Sequence, residues 1–144
     1  MARKERDPEQ LEAKLTDLVD STGMSTTLPP TTLKPQARMM TSAWFRFFLD
    51  YDPVPALEKT PCPVLALNGD KDLQMAPKEN LAQIQKALQE GGNKDFQTKE
   101  LPGLNHLFQR ALTGSPTEYG GIEETFAPEA LDAISDWILK HANR

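Results

Sequence analysis

The sequence has a single cysteine, Cys62, so no internal disulfide can form, and the chain suits a reducing compartment. It has two histidines, His106 and His141, which with Cys62 lie too far apart to give a zinc-site spacing. No metal and no cofactor is therefore expected. There is no long basic run, and a net charge of −5 offers little attraction to nucleic acid or to an anionic membrane. No apolar run approaches the roughly 18 residues needed to span a bilayer. The N-terminal MARKERDPEQ begins positively charged but has no apolar stretch behind it, so no secretory signal is expected. A soluble, cytoplasmic protein that binds neither nucleic acid nor membrane is the expectation.

What is present fits one globular domain. A compact chain of 144 residues buries about 68–70% of its unfolded surface. The chain is 38% hydrophobic and 26% charged, an ordinary globular balance. It carries 12 prolines, unevenly placed. Pro29, Pro30 and Pro35 fall in MSTTLPPTTLKPQARMM, which has no apolar period and reads as a linker or irregular crossing segment.

Several elements are legible. DPEQLEAKLTDLVDSTG predicts a helix capped by Asp7, with Pro8 at its first position, Gln10 at its third and Gly23 as its stop. Leu11, Leu15, Leu18 and Val19 form one apolar stripe on it. In TSAWFRFFLDYDPVPAL, Ser42 can cap a short helix carrying Trp44, Phe45, Phe47, Phe48 and Leu49, ended by Asp52-Pro53. Its aromatics are expected to be core. CPVLALNGDKD reads as a strand covered on both faces, with Cys62 buried at its start. A helix beginning near Pro77 follows, with Leu81, Ile84 and Leu88 on one face and Gly91-Gly92 at its end. DFQTKELP reads as a second strand. The last helix starts at Pro128 and aligns Leu131, Ile134, Trp137 and Ile138. From residue 62 the order is strand, helix, strand, helix, a unit whose strands run parallel and whose loops after the strands share one edge.

That topology gives His106, in LPGLNH after the second strand, a partner in Asp72, in NGDKD after the first. A carboxylate there can accept the Nδ1 proton of the imidazole, fix its tautomer and leave Nε2 facing a substrate. Asp70, closer to the strand, is expected to serve the turn instead. Taken alone, an Asp and a His in two loops are more often structural than catalytic.

The segments WFRFFLDYDPVPAL, PCPVLALNGDKDLQMAPKENL, LPGLNHLFQRALTGSPTEY and IEETFAPEALDAISDWI, in this order, resemble the C-terminal portion of an α/β-hydrolase of the esterase and dienelactone-hydrolase-like branch. The resemblance runs from about Trp44 to the C-terminus. It implies that Asp72, fourth in a Gly-x-x-Asp turn from Gly69, is the acid, and that His106, fourth in a Gly-x-x-His turn from Gly103, is the base. It further implies hydrolysis of small carboxylic esters. Residues 1–40 are expected to be an N-terminal helix and Pro/Thr-rich linker like the remnant of a cap, and residues 41–144 the hydrolase portion.

The sequence departs from that family at the nucleophile. No Gly-x-Ser-x-Gly elbow precedes Asp72, and GMSTT at residues 23–27 lacks the second glycine. The oxyanion-hole loop and most of the parallel sheet are missing too. Ser42 and Ser135 are expected within helices or their caps, which leaves Ser25 and Ser115 as candidate nucleophiles, or a water activated by His106. The expected fold is α/β, a partial α/β-hydrolase with a short parallel sheet flanked by helices and completed by oligomerisation, because two strands alone leave open edges. A homodimer or larger oligomer is expected. The alternative function is that of a non-catalytic, oligomerising or complementing fragment of a split hydrolase.

Overall fold

A computed structural model describes residues 5–22 and 30–142, with side chains in the second stretch from Leu33 onward. The chain divides into two compact units, residues 1–52 and 53–144, a division that falls later than the expected boundary at 40/41.

The first unit is helical. Helix α1, Pro8–Ser21, starts as expected: the Asp7 carboxylate accepts the Glu9 N–H at 2.9 Å, and Pro8 takes the first helical position. Of its stripe, Leu11 and Val19 are buried while Leu18 stays half exposed. Gly23, the expected stop, lies outside the described residues. Helix α2, Pro30–Thr41, replaces the expected irregular segment over much of its length. Pro30 at its start fits a helix, and Pro35 inside it removes one backbone donor and crowds the carbonyl of the preceding turn. Burial of Leu33 and Ala37, four residues apart on one face, outweighs that loss as α2 packs on α1. Helix α3, Ala43–Asp50, is capped by Ser42, whose Oγ accepts the Phe45 N–H. Its aromatics are not core: Trp44 and Phe47 remain 68% and 66% exposed. Trp44 instead stacks on Phe48 four residues along the same helix.

The second unit carries the sheet. Helix α4, Val54–Glu58, leads into strand β1, Val64–Gly69. Helix α5, Pro77–Glu90, returns the chain to strand β2, Phe96–Leu101, and helix α6, Pro128–Ala142, closes it. The two strands form a parallel pair in unbroken register from Val64 opposite Phe96 to Gly69 opposite Leu101. This is a mixed α/β arrangement of helices around a short parallel sheet. Leu81 and Leu88 of α5 are buried as the helical spacing requires. A Cβ at Gly91 would sit 2.0 Å from the Glu58 carbonyl oxygen, so α4 and α5 approach where only glycine fits.

Three expectations need correction. The β1 side chains Val64 to Leu67 are half-buried, because β2 is the only strand that meets them among the described residues. Cys62 is exposed rather than buried, since it precedes the strand on an open end. On α6, Leu131 and Ile138 of the expected stripe face outward while Ile134 and Trp137 stay half-buried, and Ala130, with Ala127 just before the helix, packs on Leu101 and Leu104. Two small residues let the helix start close to the strand end, and that turns Leu131 and Ile138 away.

Candidate functional site

Strand β1 ends in a tight turn, in which Asp72 N–H donates to Gly69 O at 3.2 Å. The turn presses against the chain after β2: a Cβ at Gly69 would lie 2.1 Å from Leu104 O. The Asp72 side chain is 4% exposed and fully engaged. Its Oδ1 accepts the N–H groups of Gln74 and Met75 at 2.8 and 2.9 Å. Its Oδ2 accepts Asn68 Nδ2 at 2.9 Å and meets His106 Nδ1 at the same distance. A carboxylate held by three other donors cannot swing away, so it fixes the imidazole instead of following it.

His106 is carried by a loop closed on itself. Leu104 bridges to Arg110, and Ala111 N–H reaches back to Gly103 O at 3.0 Å. Inside it the buried Asn105 acts as a staple. Its Oδ1 accepts from Leu107 N–H and Gln109 N–H, and its Nδ2 donates to Gln109 Oε1. Phe108 adopts a left-handed backbone at φ 57°, which few bulky residues tolerate. Its N–H to Asn105 O, its carbonyl to Ala127 N–H and its ring contact with Phe126 hold it there. Phe108 anchors the loop, whereas Leu107 beside it is exposed. Arg110 extends the brace to α6 with two hydrogen bonds to the Glu129 carboxylate.

The two turns are also bonded to each other. Asp70 Oδ1 accepts Gly103 N–H at 2.6 Å, so this second carboxylate serves the turns and not the imidazole. Lys71 N–H donates to Leu104 O, and Lys71 Nζ reaches the carbonyls of Ala111 and Leu112. At Gly114, φ is +82° and a Cβ would lie 1.8 Å from Lys71 O, so that contact requires glycine.

Burial by itself would raise the Asp72 carboxyl pKa, but the hydrogen bonds from His106, Met75 N–H and Gln74 N–H outweigh it and hold Asp72 below the ordinary value of 3.8. An ionised Asp72 can only accept, so the proton between the two residues sits on His106 Nδ1. In the neutral ring Nε2 then carries the lone pair, on a side chain that is 38% exposed and with no described residue bonded to that nitrogen. An imidazole held in this way can act chemically as a base.

No described serine is hydrogen-bonded to His106. Ser115 caps a short 3-10 helix, Pro116–Gly121, and its Oγ engages Thr117 N–H and Thr117 Oγ1. Ser25 lies outside the described residues. Ser42 caps α3, and Ser135 lies within α6. Beside the pair, a mostly apolar concavity of about 470 Å³ is lined by Leu57, Ile84, Asn68 and Met75 among others. Asn68 and Met75 also bond to Asp72, so the concavity and the pair share a wall.

His141, which sequence reasoning passed over, makes a second histidine–carboxylate contact, with Nε2 at 3.0 Å from Asp95 Oδ1. Its Nδ1 meets Trp137 O at 2.7 Å, so both ring nitrogens are occupied. Asp95 precedes β2, at the opposite end of the strands from Asp72, and this contact ties α6 to the sheet. The i, i+4 spacing of Trp137 and His141 was the available signal for the ring contact seen here.

Comparisons of the chain with protein-family models, with curated proteins and with solved structures give no match.

Proposed function

We propose that the chain is a hydrolase of α/β-hydrolase ancestry that cleaves small carboxylic esters, with Asp72 orienting His106 as the base. The observation that supports this reading best is the 2.9 Å contact between a buried, fully bonded carboxylate and a partly exposed imidazole. With water as the nucleophile, Nε2 takes a proton while the water oxygen bonds to the ester carbonyl carbon. The C–O bond to the alcohol then breaks as the imidazolium returns the proton to the leaving oxygen, giving acid and alcohol. General-base catalysis of this kind is worth about 10²–10⁴-fold. Ser25 stays a candidate nucleophile for a covalent route, while Ser115 has its hydroxyl committed to a turn. The concavity beside Asn68 has room for the apolar part of a small ester.

A second reading is favoured by the open sheet and by the absence of a nucleophile bonded to His106 among the described residues. In it the chain is a complementing fragment whose nucleophile comes from another polypeptide. Both readings include self-association, as the way a two-stranded sheet gains cover. Treatment with a serine-directed organophosphonate followed by intact mass separates them. A single adduct supports a covalent esterase and peptide mapping then names the serine. No adduct, together with no ester turnover, supports the fragment.

A further inference from the structure

Strand β1 has one partnered edge and one open edge. Val64 N–H donates to Asp95 O and Asp70 N–H to Leu101 O, both at 3.0 Å, so the even-numbered residues turn their main-chain groups toward β2. By the period of two, Leu65 and Leu67 turn N–H and C=O the other way, where no strand meets them among the described residues. Natural edges are commonly guarded by a lysine, a proline, an inward charge or a bulge. Val64–Gly69, VLALNG, has none of these, and its register is unbroken. Leu65 and Leu67 are half-buried, so part of their apolar surface still meets water.

We propose that this edge pairs antiparallel with the β1 edge of a second copy, with Ala66 on the two-fold axis. The inference rests on the self-association proposed above and names its surface. A two-fold contact sets each residue against its symmetry mate, so a suitable edge must tolerate itself. β1 does, because it carries no charge to repel its copy. With Ala66 at the centre, Leu65 of each copy faces Leu67 of the other. Both are outward-turned residues, and they exchange N–H···O bonds in both directions. Ala66 then faces Ala66 in the close, non-hydrogen-bonded position, where Cα atoms approach to about 4.5 Å. It has the smallest side chain of Val64 to Asn68, as that approach requires. Centring on Leu65 would set Pro63, which has no N–H, against Leu67 at a hydrogen-bonding position. Centring on Leu67 would set Asp70, already committed to the turn, against Val64. The Ala66 register keeps Pro63 out of the central pairs, setting it opposite Gly69 only at the two ends, leaves Asp70 beyond the paired strands, and makes one four-stranded sheet ordered β2, β1, β1, β2.

The test is a cysteine placed on the proposed axis. In a Cys62→Ser background, Ala66→Cys is oxidised mildly beside Thr98→Cys, its in-register neighbour on β2. The expected result is a covalent dimer from the Ala66→Cys variant and none from Thr98→Cys, since a Cα separation of about 4.5 Å lies within disulfide range. A dimer by light scattering without the crosslink at Ala66, or with one at Thr98, overturns the edge pairing and leaves self-association standing. A monomer overturns both, and neither result touches ester turnover. Should either variant fail to fold, amide exchange of the unmodified chain reads the same contact. The Leu65 and Leu67 N–H groups are expected to be protected at high concentration and to exchange on dilution below the dimer range. Protection of these two groups that is unchanged by dilution, or absent at every concentration, contradicts the pairing.

Discussion

Asp72 Oδ2 lies 2.9 Å from His106 Nδ1, and the turns that carry them are bonded to each other through Asp70 Oδ1 and Gly103 N–H. The imidazole is thus placed by the main chain as well as by its carboxylate. Removing one group should leave much of the arrangement standing and expose what that group contributes.

The Asp72 carboxyl is held below its ordinary value of 3.8 in the folded chain. Its ionised form therefore adds stability above that value, and the contribution disappears as pH falls through the lower, folded one. On acidification from pH about 6 to about 3, the wild type should lose stability more steeply than Asp72→Asn, which has no such proton to bind. Urea midpoints across that range check it; parallel curves would contradict the lowered Asp72 value.

Asn105 is buried and supplies three hydrogen bonds inside the His106 loop. Asn105→Ala leaves the Leu107 and Gln109 N–H groups without it, and should cost about 1–3 kcal/mol in urea unfolding. A loss below about 0.5 kcal/mol, the range of an ordinary surface change, would mean that the loop is held by its other contacts alone.

Gly69 and Gly120 offer a matched pair of alanine substitutions. A Cβ at Gly69 lands 2.1 Å from backbone at Leu104, whereas one at Gly120 meets nothing within 4 Å. Gly69→Ala should cost about 1–3 kcal/mol or more, and Gly120→Ala about 0.5 kcal/mol at most. Equal thermal midpoints for the two would show that the turns are not in the close contact described.

In the first unit, Leu11 is fully buried and Phe47 is 66% exposed. Leu11→Ala should therefore cost about 2–5 kcal/mol, while Phe47→Ala stays within about 0.5 kcal/mol. A large loss at Phe47, measured in dilute solution, would contradict the exposed placement of the α3 aromatics.

Much of this was legible in the residues. Asp7 and Pro8 mark the start of α1, Ser42 caps α3, and the continuous run Val64–Leu67 and the alternation in FQTKEL are both strands. The parallel order then brings Asp72 and His106 to one edge, and leaves Asp70 to the turn. What was not legible depends on contacts between distant segments. Pro35 reads as a helix breaker, yet Leu33 and Ala37 bury against α1 and keep the helix. The apolar spacing of α6 points to Leu131, Ile134, Trp137 and Ile138, but close packing through Ala127 and Ala130 keeps Ile134 and Trp137 half-buried and leaves Leu131 and Ile138 outside. The aromatics of α3 read as core because hydrophobicity does not say what is there to cover them. The left-handed Phe108 and the Asn105 staple carry no local signal beyond an Asn before the histidine, since their geometry follows from the loop closing on itself.

Hydrolysis of a short-chain p-nitrophenyl ester by the wild type and by His106→Ala, each at matched folded concentration, tests the proposed chemistry most directly. Turnover above buffer background is expected for the wild type, falling by about 10²–10⁴-fold or to background in His106→Ala. Turnover that is unchanged by His106→Ala would contradict the assignment of His106 as the base.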